Sequence, residues 1–224
     1  MEKMQQAIEY MQEQKFEESA KLFTEIIEEQ PDNPIGYINF GNLLIHLHEL
    51  PRAQRFFEKA IELDEHAATA YYGLGNVYLE ESVYPKAQEN FQKAIELGLE
   101  EGDVYFMLGM TLQSQQQMKL ALPYLLRATE LQPTDDEIAF QYALTLAQSD
   151  HLKEAKSAFE NVLKLNKEHS DAYYNLGVIA LYDDQLDTAI NHFDDALSIQ
   201  EDHKLAANAK EQTQMIIDQN RNQK

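Results

Sequence analysis

Apolar residues recur along this chain with helical spacing, broken at regular intervals by short polar connections. Between residues 68 and 101, Tyr71, Leu74, Gly75 and Tyr78 stand at i, i+3, i+4 and i+7, one stripe of a helix. Ala87, Phe91, Ala94 and Leu97 form a second stripe soon after. The pattern then returns every 34 residues. Phe23, Phe57, Phe91, Leu125, Phe159 and Phe193 share one column, and Ala7, Gly41, Gly75, Gly109, Ala143 and Gly177 share another. A third holds Ser19, Ala53, Ala87, Ala121, Ala155 and Ala189. The fourth reads Tyr37, Tyr71, Tyr105, Ala139 and Tyr173, with Lys3 breaking it in the first repeat. The phase runs to His203 without an insertion, so six repeats are expected: 1–33, 34–67, 68–101, 102–135, 136–169 and 170–203.

Each repeat reads as a pair of helices. The small residues of the second and third columns are expected where the two helices cross, with the Phe column filling the space beside them. Pro51 and Pro85 fall in the first turn of second helices, where a missing N–H costs nothing, and Pro31 and Pro133 fall in connections. Pro123 lies a little inside its helix, where a mild kink is expected. Residues 204–224 follow the last repeat, and Leu205, Ala206, Ala209, Thr213, Ile216 and Ile217 are expected to form the stripe of a capping helix, since terminal repeats need a cover. Asn220 to Lys224 are expected to fray.

Six phased copies of small, aromatic and proline positions resemble the tetratricopeptide repeat (TPR) family over residues 1–203. More narrowly, Tyr37-Ile38-Asn39-Phe40-Gly41-Asn42 and Ala121-Leu122-Pro123-Tyr124-Leu125 resemble six-repeat bacterial members of the YrrB type. The resemblance implies an all-α fold: a right-handed superhelical α-solenoid of six TPR helix pairs plus a C-terminal capping helix, with first helices on the concave face. One departure stands out. The glycine usual between paired helices is replaced by Gln14, His48, Ser82, Gln116, Asp150 and Asp184. A turn with φ > 0 there suits Asp and His better than Gln, so strain or a different turn is expected at Gln14 and Gln116.

Composition narrows the function. The chain carries 39 acidic and 18 basic residues, a formal charge of −21, a field that repels a phosphate backbone, so no nucleic-acid partner is expected. Cysteine is absent, which removes thiolate metal sites and cysteine nucleophiles. No apolar run reaches membrane-spanning length, and the N-terminal residues lack a signal-peptide core, so no membrane association and a cytoplasmic location are expected. His46 and His48 point to different faces of one helix, and His66, His169 and His203 read as solvated loop residues at the ends of repeats. Asp135-Asp136 and Asp183-Asp184 read as helix-end residues explained by N-capping and solvation. Gly73-Leu74-Gly75 lacks the third glycine of a dinucleotide turn and lies within a helix. No enzyme, no cofactor and no metal site is expected.

The resemblance places certain first-helix positions in the groove. At the fifth they include Ile38, Tyr72, Phe106, Phe140 and Tyr174; at the ninth, Asn42, Asn76, Met110, Leu144 and Val178; at the twelfth, Ile45 and Leu79. They lie outside the pair-packing stripe, so an aromatic row surplus to folding is expected, and such exposed patches mark binding sites. Asn39, Asn42, Asn76 and Asn175 offer amides that bond peptide N–H and C=O groups. The first helices of repeats two to six, 34–47, 68–81, 102–115, 136–149 and 170–183, hold no Lys or Arg but do hold Asp103, Glu137 and Asp171. The family's branch that grips a C-terminal carboxylate uses first-helix cations, which are missing here. The expected role is a non-catalytic adaptor holding an apolar partner segment that carries basic residues. The alternative is self-assembly through the groove or an end cap.

Overall fold

The computed structural model describes residues 2–222, so Gln223 and Lys224, part of the expected frayed end, lie outside the described residues. Thirteen helices and no strand are found among the described residues. The chain divides into two compact units, Met1–Gln116 and Gln117–Lys224. The first holds the pairs α1 (Glu2–Gln12) with α2 (Phe16–Glu29), α3 (Pro34–His46) with α4 (Leu50–Leu63) and α5 (Ala68–Glu80) with α6 (Tyr84–Glu96), then α7 (Gly102–Ser114). The second opens with α8 (Met118–Leu131). It continues through α9 (Asp136–Gln148) with α10 (Leu152–Leu165), and α11 (Ser170–Tyr182) with α12 (Leu186–Ile199), to α13 (Lys204–Asn222). The fold class is the expected one, an all-α array of TPR helix pairs closed by a C-terminal helix.

Aromatic rings and the glycines opposite them set the pair geometry. Phe23, Phe57, Phe91, Phe159 and Phe193 are fully buried. A Cβ built on Gly75 would lie 2.6 Å from the Phe91 ring, and one on Gly177 would lie 2.4 Å from the Phe193 ring. Phe57 is wedged between Gly41 of its own repeat and Gly73 of the next, at 2.8 and 2.2 Å from their virtual Cβ atoms. Gly73 therefore serves the contact between repeats and Gly75 the contact within one. At Gly41, Gly75 and Gly177 the column is held small by the phenylalanine ring opposite. Where the third column carries Ser19, its hydroxyl donates to the Ala7 carbonyl at 2.8 Å, tying α2 to α1.

The turns between paired helices all carry a left-handed residue. Gln14, His48, Ser82, Gln116, Asp150 and Asp184 have φ between 55° and 65°. In the turn at Ser82, its N–H donates to the Leu79 carbonyl and the Val83 N–H to the Tyr78 carbonyl, which is a Schellman closure. The same pair of bonds closes the turns at Gln14, His48, Asp150 and Asp184. Gln14 and Gln116 thus share the conformation of the others and carry the αL cost of a side chain. Pro51 and Pro85 lie in the first turns of α4 and α6, while α8 runs on through Pro123.

The capping helix is used differently from the stripe expected of it. Ala206 and Thr213 are buried, Ala209 and Ile217 half-buried, but Leu205 and Ile216 are exposed together with Met215. The seam follows 206, 209, 213 and 217, a regular helical stripe, which leaves Leu205 and Ile216 on the outer side. Ala206 joins the core of Ala180, Ala189, Phe193 and Ala196, whereas Leu176 belongs to the preceding cluster with Phe159 and Val162. Asn220 is still helical.

Candidate protein-binding face

The first-helix positions singled out above divide between the two compact units. In the first, Asn42, Ile45, Tyr72, Asn76, Leu79, Phe106 and Met110 are half-buried, Asp103 is exposed, and Ile38 is buried. In the second, Leu144, Tyr174, Asn175 and Val178 are half-buried, Glu137 and Asp171 exposed, and Phe140 buried.

The aromatic row is not surplus to folding. The rings of Tyr72, Phe140 and Tyr174 stand 5.8, 5.8 and 6.0 Å from Phe91, Phe159 and Phe193 of their own repeats. Each of these three rings thus has one side on the core phenylalanine, and the rings of His169 and His203 stand against Phe140 and Tyr174 as well. Two asparagines are also committed locally: Asn39 donates to the Ile35 carbonyl and Asn175 to the Asp171 carbonyl, each four residues back on its own helix. Asn42 has no hydrogen-bond partner among the described residues.

Tyr72 shows the character of the face in the first unit. Burial raises the pKa of its phenol, the hydrogen bond with Asn76 opposes that rise, and the carboxylates of Asp103 and Glu101 add to it. The half-buried ring, the nearby amide and the negative field of two carboxylates make a combination that favours a cation over or beside the ring. An open cleft of about 570 Å³ elsewhere on α5 and α6 is polar and charge-balanced, lined by Lys86 and Lys93 with Glu89 and Glu96 beside Tyr71 and Tyr78.

Two histidines expected to be solvated are structural. The His203 ring is buried; its Nδ1 accepts from the Ala206 N–H at 3.2 Å, capping α13. Its Nε2 lies 3.1 Å from Asp171 Oδ1 and its ring 5.3 Å from Tyr174. With Nδ1 accepting, Nε2 carries the proton and donates to Asp171. His169 Nδ1 likewise accepts from the Ala172 N–H, with its ring 4.4 Å from Phe140. Only His66 of the three is solvated. Asp135 caps α9 through the Ile138 N–H, whereas Asp183 and Asp184 cap nothing and sit solvated in the turn at the end of α11, in keeping with the other half of the expectation. The 34-residue column Asn33, Ala67, Glu101, Asp135, His169 and His203 is the signal that could have exposed this: it is the N-cap column.

No group of three or more histidine and acidic side chains with metal-site geometry occurs among the described residues, and no described helix is long and apolar enough to cross a membrane.

Tetratricopeptide repeat models match residues 38–87 and 141–204, and a further one matches 102–135. No curated protein is found to match. Among solved structures, YrrB, described as a TPR protein with an unusual peptide-binding site, is 47% identical, with a TM-score of 0.81 over 86% of this chain and 99% of its own. PilF of Pseudomonas aeruginosa matches at 16% identity and a TM-score of 0.79, covering 94% of this chain and 96% of its own. MamA of Desulfovibrio magneticus matches at 20% identity and a TM-score of 0.69, covering 76% and 96%. These last two share the fold. Repeat arrays of this kind are protein–protein interaction scaffolds, and this chain belongs to the tetratricopeptide repeat family.

Proposed function

We propose that the chain is a non-catalytic adaptor holding a segment of a partner protein against its first-helix faces, the segment being apolar along one side and carrying Lys or Arg. The surroundings of Tyr72 support this most: a half-buried ring bonded to Asn76, with Asp103 and Glu101 close enough to act on its phenol. YrrB's peptide-binding site supports a peptide as the ligand form. Apolar contact with Phe106, Met110 and Leu79 supplies affinity, at about 1.5–3 kcal/mol per fully buried side chain. The carboxylates steer encounter and exclude acidic competitors.

Selection of a random peptide library on the purified protein tests the proposal. Enriched sequences are expected to combine spaced apolar residues with Lys or Arg. Selection on an Asp103→Asn, Glu101→Gln variant should keep the apolar pattern and lose the basic preference. Enrichment of acidic peptides, or an unchanged basic preference in that variant, would overturn the reading.

A further inference from the structure

The outer side of α8 departs from every other second helix. Leu120 and Leu126 are 59% and 42% exposed, and Pro123 between them is exposed as well. At the Leu126 position the other repeats carry Thr24, Glu58, Gln92, Glu160 and Asp194; at the Leu120 position they carry Glu18, Arg52, Lys86, Glu154 and Thr188. The polar outer side of the other second helices is thus replaced in one helix by an apolar stripe, without any need of the core behind it, where Ala121, Leu125 and Ala128 are buried. Acidity drops at the same place: α8 has Glu130 alone, against Lys119 and Arg127, in a chain of charge −21.

We propose that this face pairs with the same face of a second copy of the chain, α8 against α8 in antiparallel register about a twofold axis. The outward residues Lys119, Pro123, Leu126 and Glu130 follow i, i+4, i+7 and i+11, the spacing of a helix–helix seam. A twofold axis at the middle of this seam places Pro123 of one copy against Leu126 of the other, and Lys119 against Glu130 at both ends. The face is self-complementary in shape and charge, as an isologous contact requires. Leu120 extends the apolar contact on one flank. The choice of a second copy rests on that charge register. Two molecules of this acidity repel wherever carboxylates meet. The helices α4 and α6 also admit a register that pairs each carboxylate with a cation, but α8 alone among the second helices joins such a register to the exposed stripe of Leu120, Pro123 and Leu126. Lys119 forms no ion pair among the described residues, while Glu130 is held by Arg127 at 2.8 Å on its own helix. One helix pair buries less than a standard interface, so the dimer is weak and concentration-dependent.

Sedimentation velocity across the micromolar range is the test. Wild type is expected to move from monomer toward dimer as concentration rises, and Leu126→Glu should stay monomeric with unchanged helicity by circular dichroism. Lys119→Glu and Glu130→Lys should each weaken association several-fold. The two together should restore it, because the twofold axis returns opposite charges to both ends. A wild type that stays monomeric throughout, a Leu126→Glu variant that associates as wild type does, or a charge reversal that fails to rescue would each overturn the proposal.

Discussion

Replacing Gly75 by alanine sets helix propensity directly against packing. In an exposed helix the change stabilises by about 1 kcal/mol. Here the added methyl meets Phe91 Cε1 at 2.6 Å and Cδ1 at 2.7 Å, about 1 Å inside normal carbon–carbon contact. Phe91 is fully buried and Tyr72 stands 5.8 Å from it, so the ring must push into a filled space. Overpacking of this kind costs about 1–3 kcal/mol. Ala7 and Ala143 occupy the same column in other repeats, which shows that a methyl is accommodated when the neighbouring ring is set for it and favours the lower half of that range. Set against the propensity gain, the expected net loss is about 0.5 kcal/mol. The companion variant Phe91→Leu copies Leu125 of the fourth repeat, and together the two changes should cost less than their sum by about 1 kcal/mol, since the methyl occupies space vacated by the ring. Urea unfolding followed by circular dichroism gives the totals. Because repeat arrays need not unfold in one step, hydrogen exchange in α5 and α6 locates the effect. A stabilised Gly75→Ala protein, or additive costs, would refute the claim that ring contact fixes this column.

Ser82→Gly should stabilise by about 0.5–1 kcal/mol in the same unfolding assay, because the residue sits at φ 59° and glycine removes the left-handed penalty while adding some unfolded-state entropy. His203→Ala removes the α13 cap and the bond to Asp171; about 1–2 kcal/mol of local stability should vanish, seen as faster exchange across α13 with α1 unchanged. Burial lowers the His192 pKa from 6.5, and its buried Nδ1 has no hydrogen-bond partner. The unfolded chain therefore binds the proton more readily, so stability contributed by neutral His192 is complete above about pH 6.5 and declines below it. Urea midpoints measured across that range should fall with acid in the wild type and fall less in His192→Gln.

The repeat phase, helix pairs and prolines were legible because they rest on periodicity, which a single sequence displays six times over. The turn residues were legible too: an unbroken column at a fixed offset held to one conformation even where Gln14 and Gln116 fit it poorly. Three things were harder to read. The N-cap column runs through five residue types in six positions, so His169 and His203 looked like loop residues. The seam of α13 was misread in part because Leu205 and Ile216 are large and apolar and lie next to seam positions, whereas packing with Ala180, Ala189 and Ala196 uses the small side chains of Ala206 and Ala209. The fifth-position aromatics look unassigned on a helical wheel. The wheel shows only their own helix, whereas Tyr72, Phe140 and Tyr174 each meet the phenylalanine ring of the second helix.

That double use limits which substitutions can probe binding. Phe140 is buried between the rings of Phe159 and His169, so its loss removes core as well as surface. Phe140→Ala should cost about 3–5 kcal/mol of stability in the second unit, enough to lose peptide capture for reasons unrelated to the face. Asn42, half-buried and with no hydrogen-bond partner among the described residues, should tolerate alanine within about 0.5 kcal/mol. Met110→Ala should fall between the two. Ranking the three by urea midpoint before any binding measurement separates the roles. If Phe140→Ala were neutral and Asn42→Ala strongly destabilising, the division between core and available face drawn above would be inverted. If the expected order holds, loss of a selected peptide in Asn42→Ala or Met110→Ala reports on contact, because the scaffold presenting those side chains is intact.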